Sequence, residues 1–487
     1  MTATALWQHS ASELLEGYAR RQFSPAEVLD ELYARIEQLN PRLRAYLALN
    51  ADDARRAAQA AEARWRAPGE KPLLCGVPVA VKDTIELRGL PTTYGSLAFR
   101  DNYQDDAEIV RRLRQAGAVL VGKTNTPEFA LGTFVLNRLG EPGTNPWHLD
   151  HTCGGSSGGS GAAVAAGLVP LALGTDSAGS IRVPAAYNGV FGLKPTYQRI
   201  PTVQAWRAAP GRSHNGPLSR TVRDSALLLQ ALAGPHPRDH SSHIGPAPDF
   251  LAFSAGSVRG ARVAVSHDFG NVPDVDPEVR GAIDEAAALL GDLGCEVVPA
   301  NPPSPPGPDL LEPGVWAYAG DHYAAAEALV PGFWERHADD LTDYARPIYE
   351  AGRRALAWQY RRILSRNALY AAQMKEWFAA YDFLLAPVAG PAPRNDMLRP
   401  GARGEARPGF LVHFNVAQNP AAAVPFAFHS SGLPLAIQLV GRHGDDVGVL
   451  RLAAAIEAQR PWAQRWPPLA TEPIEARVPA PFGLDPD

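Results

Sequence analysis

Three side chains in this sequence have the types needed to open a carbonyl–heteroatom bond. Lys82 ends the apolar run GVPVAVKD, and Ser156 and Ser180 stand in two separate glycine-rich loops. A serine hydroxyl needs a base before it attacks a carbonyl, and neither loop contains a histidine. A lysine withdrawn from water can serve, because desolvation disfavours its ammonium form; serine–lysine sites are an accepted solution to hydrolysis. Ser177, Ala178, Gly179 and Ser180 would place several backbone N–H groups at one tight turn, as an oxyanion hole requires. Their small side chains let a carbonyl oxygen reach the backbone.

The stretch from Cys153 to Thr196 must position the two serines. It reads as a glycine-rich loop, a helix of small residues, a short buried strand and a second Gly/Ser loop. The spacing predicts helices over 11–21, from the capping box Ser24-Pro25-Ala26-Glu27 to about Gln38, and over 51–66. The apolar run 76–83 predicts a strand buried on both faces. A helix over 106–116 and strands over 118–121 and 190–193 follow, then a helix over 221–232 and a strand–helix–strand pattern over 258–298. A strand at 435–440 and a helix at 447–459 close the chain. Such alternation predicts an α/β fold with a large, mixed, mostly parallel sheet covered by helices on both faces. One domain over 1–470 is expected: wrapping helices to 66, a core over 72–232, a substrate-shaping region over 236–407 and a closing segment over 410–470, with a tail from 471. Aromatic residues between Trp316 and Trp377 read as core in preference to pocket walls.

With 487 residues, 46% of them hydrophobic and 20% charged, the chain can bury a large core. A net charge of −5 gives no basic footprint, which disfavours nucleic acid as a partner. Three widely spaced cysteines, none in a CxxC pair, argue against disulfides or zinc. No apolar run is long enough to span a bilayer and no signal peptide is read, so the expected location is cytoplasmic. Three motif matches mislead. Gly117–Thr124 fits the P-loop pattern, but its middle is a β-branched strand and no helix follows. Gly154–Gly158 fits the nucleophile elbow of α/β-hydrolases without the preceding apolar strand. His148, His151 and Cys153, and His236, His240 and His243, lie in loops with no rigid framework for a metal.

The residues also carry a resemblance. GVPVAVKD, GKTNTPEF at 122–129, TNPW at 144–147, the run GGSSGGSGAAVAAGLVPLALGTDSAGSIRVPAAYNGVFGLKPT from Gly154, GPLSRTVRDSALLL, FNVAQNP and GLPLAIQLVG follow one another in the order seen in the amidase signature family. The chain resembles that family over most of its length. The resemblance implies a serine-dependent amidase with a Ser–cis-Ser–Lys triad, no metal and no cofactor. The nucleophile falls on Ser180, the bridging serine on Ser156 and the base on Lys82. It implies an oxyanion hole on the backbone of Ser177, Ala178, Gly179 and Ser180, with Asp176 and Arg182 fixing that loop and Thr175, Ser157 and Asn125 in the surrounding network. The substrate implied is a small-molecule amide. A homodimer is common in the family, though nothing in the sequence specifies one. The second reading is the amidotransferase subunit that releases ammonia from glutamine in a tRNA-dependent complex. There glutamine commonly follows the loop arginine; here Val183 does. Two positions depart from the family pattern: Ala178 replaces a usual glycine, and Gln198 stands before Arg199 where glycine is usual.

Overall fold

Local signals in the N-terminal third act as read. Ser10 and Ser24 each close a capping box, opening α1 (Ala11–Ala19) and α2 (Pro25–Leu43). Val28, Leu29, Leu32, Ile36 and Leu39 of α2 are buried. The computed structural model describes residues 4–205, 209–242, 245–304, 312–398 and 408–472; His243 and the tail from 473 lie outside them. The chain continues through β1 (Tyr46–Leu49), α3 (Ala51–Arg66), β2 (Pro78–Lys82), α4 (Glu108–Gln115), β3 (Val119–Thr124) and the hairpin of β4 (Thr144–Asn145) and β5 (His148–Thr152). Next come α5 (Gly158–Ala165), β6 (Leu171–Asp176), α6 (Arg182–Asn188), β7 (Phe191–Lys194), β8 (His214–Ser219) and α7 (Val222–Leu232). The second half holds β9 (Arg262–Val265), α8 (Pro277–Asp292), β10 (Glu296–Pro299), α9 (Glu312–Leu329), α10 (Phe333–His337), α11 (Ala345–Arg354) and α12 (Ala357–Trp377). It ends with β11 (Phe383–Pro387), α13 (His413–Val416), β12 (Ala421–Phe428), β13 (Pro434–Gly441) and α14 (Asp446–Gln459).

Among the described residues, eleven strands form one mixed sheet in the order β1-β3-β2-β6-β8-β7-β12-β13-β11-β9-β10. The parallel ladders expected from strand–helix alternation lie on its flanks, in β3-β2-β6 and β11-β9-β10. The centre from β6 to β11 pairs antiparallel. Two of those central strands, β8 and β12, were not legible as strands. HNGPLS and AAAVPFAF carry prolines, which remove a ladder donor, and the register shifts between Pro425 and Ala427.

The sheet is buried on both faces, and successive side chains of a strand enter different cores. Val79 and Val81 of β2 join one cluster with Ile109, Leu228, Ile283 and Leu450; Ala80 joins the other with Ala162, Val183 and Leu39. Helices α2, α3, α5, α6 and α12 supply one core and α1, α4, α7, α8 and α14 the second. By alternation Lys82 stands on the face of Ala80, where α5 packs. A third cluster joins Tyr94, Phe99 and Phe129 to Phe333, Leu341 and Tyr349 of the helical region. Tyr323, Trp334 and Tyr344 pack onto it, so the core reading holds for these aromatics. Trp316 and Tyr318 are among the side chains not described. No helix among the described residues is long and apolar enough to cross a membrane.

Candidate active site

Strand β2 runs parallel between β3 and β6, with Val81 opposite Lys123 on one side and Leu173 on the other. Its last residue, Lys82, is therefore delivered beside Thr175 near the end of β6. The Lys82 Nζ lies 2.6 Å from Ser156 Oγ and 2.8 Å from Thr175 Oγ1. Lys82 is fully buried, and this burial pushes its pKa well below the ordinary lysine value despite the opposing charge of Asp176. The neutral amine is the form such a setting favours.

Ser156 follows a cis peptide bond, Gly155–Ser156, just before α5. Position 155 has no room for a side chain. A Cβ there would lie 2.6 Å from Phe134 N and 2.8 Å from both Gly132 O and Phe134 O, all backbone atoms that cannot swing aside. Ser157 joins three segments. Its N–H donates to Ser180 O at 3.1 Å, and its hydroxyl donates to Thr175 O and accepts from Thr175 N–H, each at 3.1 Å. The two serine loops are thus pinned to each other and to the end of β6. Ser180 occupies the turn from β6 into α6, and Ser156, Thr175, Ser177, Ala178 and Ser180 line one cavity.

Asp176 and Arg182 organise that turn. Arg182 donates Nε to Asp176 Oδ2 and Nη2 to Oδ1, both at 3.0 Å, with neither side chain exposed. Burial alone would raise the Asp176 pKa, but the Arg182 charge and hydrogen bonds hold it well below the carboxylate range. The carboxylate also accepts from the N–H groups of Gly179, at 2.7 Å, and Ile181, at 3.2 Å. Gly179, expected among the oxyanion donors, therefore directs its N–H to Asp176. The amides of Ser177, Ala178 and Ser180 meet no acceptor among the described residues.

Asn125, expected in the network around the serines, bonds to the end of α2 and the start of α5. Its Nδ2 donates to Arg44 O, and its backbone carbonyl accepts from Gly159 N–H, which steadies the start of α5. The first histidine group does not form a metal centre: His148 and His151 contact ring to ring, and His151 Nδ1 bonds Ala392 O. No group of three metal-binding side chains occurs among the described residues. His240 instead lines the cavity.

Several functional residues escaped the reading. Arg182 also donates to Gln438 Oε1 at 2.7 Å and Asn415 Oδ1 at 2.6 Å, and Asn415 Nδ2 donates to Asp176 Oδ1 at 2.8 Å. Both stand in motifs quoted above, and a glutamine inside the apolar strand PLAIQLVG was a usable signal. The cavity wall adds Phe129 and Gln198, which stand at positions noted above, and Thr84, Ala130, Tyr197 and His322, which no local pattern marks. Gln198 has φ of 59°, the left-handed region where glycine is easiest, which explains the glycine usual at that position.

A buried lysine, two serines on converging loops and a turn of free amides stand together at one cavity of this α/β fold. The chain belongs to the Amidase family: that family's model matches residues 27–450. It is a hydrolase that cleaves C–N bonds of amides. The chain is 40% identical to the "Putative amidase AmiB2" of Mycobacterium tuberculosis (strain ATCC 25618 / H37Rv), over 91% of this chain and 94% of that one. It is 37% identical to a glutamyl-tRNA(Gln) amidotransferase subunit of Roseiflexus sp. (strain RS-1), over 96% and 100%. A solved bacterial aryl acylamidase of the amidase signature enzymes superposes with a TM-score of 0.87 at 29% identity, covering 96% of this chain and 99% of its own.

Proposed function

We propose that the protein is a stand-alone amidase that works through an acyl-enzyme on Ser180, with Ser156 as the proton relay and Lys82 as the base. The observation that carries this reading is the buried Lys82 Nζ, 2.6 Å from a Ser156 hydroxyl that shares a cavity with Ser180. Neutral Lys82 takes the Ser156 proton as Ser156 takes that of Ser180. Ser180 Oγ bonds the amide carbon, and the amides of Ala178 and Ser180, with that of Ser177, receive the oxyanion. The C–N bond breaks as the proton returns through Ser156 to the leaving nitrogen. Water, deprotonated along the same route, then attacks the ester carbon, and the carboxylate leaves with Ser180 reprotonated. The scheme needs no metal or cofactor. In this reading residues 1–470 act as one domain, and the substrate is a small-molecule amide.

The near-full-length likeness to an amidotransferase component favours a second reading, glutaminase chemistry within a tRNA-dependent complex. Val183 after Arg182 weighs against it.

One experiment separates these. A fluorophosphonate should add a single phosphonyl group to Ser180 by intact and peptide mass, and Ser180→Ala should abolish the adduct. The isolated protein should release amine from simple aryl or alkyl amides and little ammonia from glutamine. Persistent labelling of Ser180→Ala would sink the nucleophile assignment. Activity confined to glutamine would favour the amidotransferase reading.

A further inference from the structure

The helical region α9–α11 reaches the cavity by two routes. His322 of α9 lines it directly. The second route is Glu128, whose carboxylate is fully buried. Its Oε2 accepts from Thr342 N–H at 2.7 Å and Thr342 Oγ1 at 2.6 Å, and its Oε1 accepts from Ser96 Oγ at 2.6 Å. The Glu128 N–H donates to Tyr344 Oη at 2.7 Å, and that hydroxyl donates to Leu136 O at 2.6 Å. Thr342 and Tyr344 form the turn that leads into α11, in a part of the chain that carries none of the family motifs. A carboxylate this deep is costly unless its lone pairs are met. Here three donors meet it, and two of them come from that turn.

The two residues after Glu128 are unusual. Phe129 has φ of 53° and Ala130 φ of 59°, both left-handed and neither glycine. Side chains hold that region only where the surroundings over-determine it. Phe129 N–H donates to Tyr94 O at 2.6 Å, and Ala130 N–H to Pro127 O at 3.0 Å. The Phe129 ring packs 5.1 Å from Tyr349 and 6.0 Å from Phe333, centroid to centroid. A Cβ on Gly95 would meet the Pro127 carbonyl at 2.8 Å, so the backbone before the bend is also tightly held. Held in this way, Phe129 and Ala130 line the cavity that contains Ser156 and Ser180.

We propose that Glu128 is a positioning residue for substrate selectivity: by binding the Thr342–Tyr344 turn, it fixes the Phe129–Ala130 bend as one wall of the substrate cavity. The motif-free helices thereby shape a wall built from a motif segment. The inference rests on Ser180 being the nucleophile of that cavity. Changes at Glu128 or Tyr344 shift which acyl groups fit, whereas a purely structural role would depress all of them together.

The test uses saturation kinetics of Ser180 labelling with two fluorophosphonates, one with a small alkyl chain and one with a bulky branched chain. It compares the unsubstituted protein with Glu128→Gln, Tyr344→Phe and Ala130→Gly. Glu128→Gln and Tyr344→Phe should change the small-to-bulky selectivity about tenfold through the saturation constant, with the limiting rate for the small reagent within about twofold. Ala130→Gly removes a methyl from the wall at a φ that glycine accepts, so it should fold normally and favour the bulky reagent. Unchanged selectivity in Tyr344→Phe and Ala130→Gly overturns the proposal even if Glu128→Gln does not fold. So does an equal loss with both reagents. Failure of the unsubstituted protein to label at Ser180 would instead remove the nucleophile assignment, and this proposal with it.

Discussion

Lys82→Met is expected to lower kcat by about 10²- to 10⁴-fold near neutral pH, the loss typical of a general base, while leaving the protein at least as stable. Methionine matches the length and flexibility of the lysine stem and fills the same space. It leaves Ser156 and Thr175 each one partner short, a cost of about 1 kcal/mol apiece. Against that stands the buried amine, whose pKa burial holds well below its ordinary value. Between the lowered native value and the unfolded value of about 10.4, the unfolded chain binds a proton that the native protein does not. Native stability therefore falls by about 1.4 kcal/mol for each unit that pH drops through this window. Methionine carries no such proton. The stability of Lys82→Met relative to the unsubstituted enzyme should rise as pH falls and level off above about 10.4. Denaturant titrations at a mildly acidic and a mildly alkaline pH measure this. The activity of the unsubstituted enzyme should rise with pH along a limb well below the ordinary lysine value. A Lys82→Met protein that kept substantial activity would remove Lys82 from the mechanism.

Arg182→Ala is expected to destabilise the protein by about 3–5 kcal/mol, the cost of stripping one partner from a fully buried ion pair. Asp176 would keep its amide donors but lose the fork that neutralises it, and Asn415 and Gln438 would lose a donor as well. Arg182→Lys should recover only part of the loss, because an ammonium cannot bond two carboxylate oxygens in parallel. The pH dependence identifies the cause. In the unsubstituted protein Asp176 is held below the carboxylate range, so its stabilisation is present above about pH 4 and is lost as pH falls through and below that value. In Arg182→Ala burial would dominate and raise the native pKa above the unfolded one, so the native state binds the extra proton. The deficit should then shrink on going from neutral to mildly acidic buffer. A deficit independent of pH would point to lost packing instead.

Strands β2, β3, β6, β9 and β10 and the residues of the candidate site were readable, because buried parallel strands and glycine-rich turns leave strong local patterns, whereas β1 and β11 were not read as strands. Lys82, Ser156 and Ser180 were found from residue type and loop chemistry, and the structure brings Lys82 to Ser156 and places both serines on one cavity. In the antiparallel centre β7 and β13 were readable, whereas proline in β8 and β12 hides the alternation. Asn415, Gln438 and Glu128 escaped for a different reason. Each is a polar group whose role depends on a partner far along the chain: Arg182 for the first two and Thr342 for the last. Local periodicity carries no record of such pairings. The turn expected to hold the oxyanion lines the cavity, but the direction of its amides was not readable, since only the folded loop turns the Gly179 N–H to Asp176.

The Asp176–Arg182 pair also bears on the electrostatics around Ser180. Opposite charges 3.0 Å apart, both out of solvent, leave almost no net charge at the turn that carries Ser180. With Lys82 favoured as the neutral amine, the groups left to meet a developing negative oxygen are peptide dipoles. Mobile ions screen exposed charges over about 8–10 Å but barely touch dipoles held in a dry interior. Turnover of an uncharged amide should therefore be nearly indifferent to ionic strength, and adding salt to the assay should leave kcat flat.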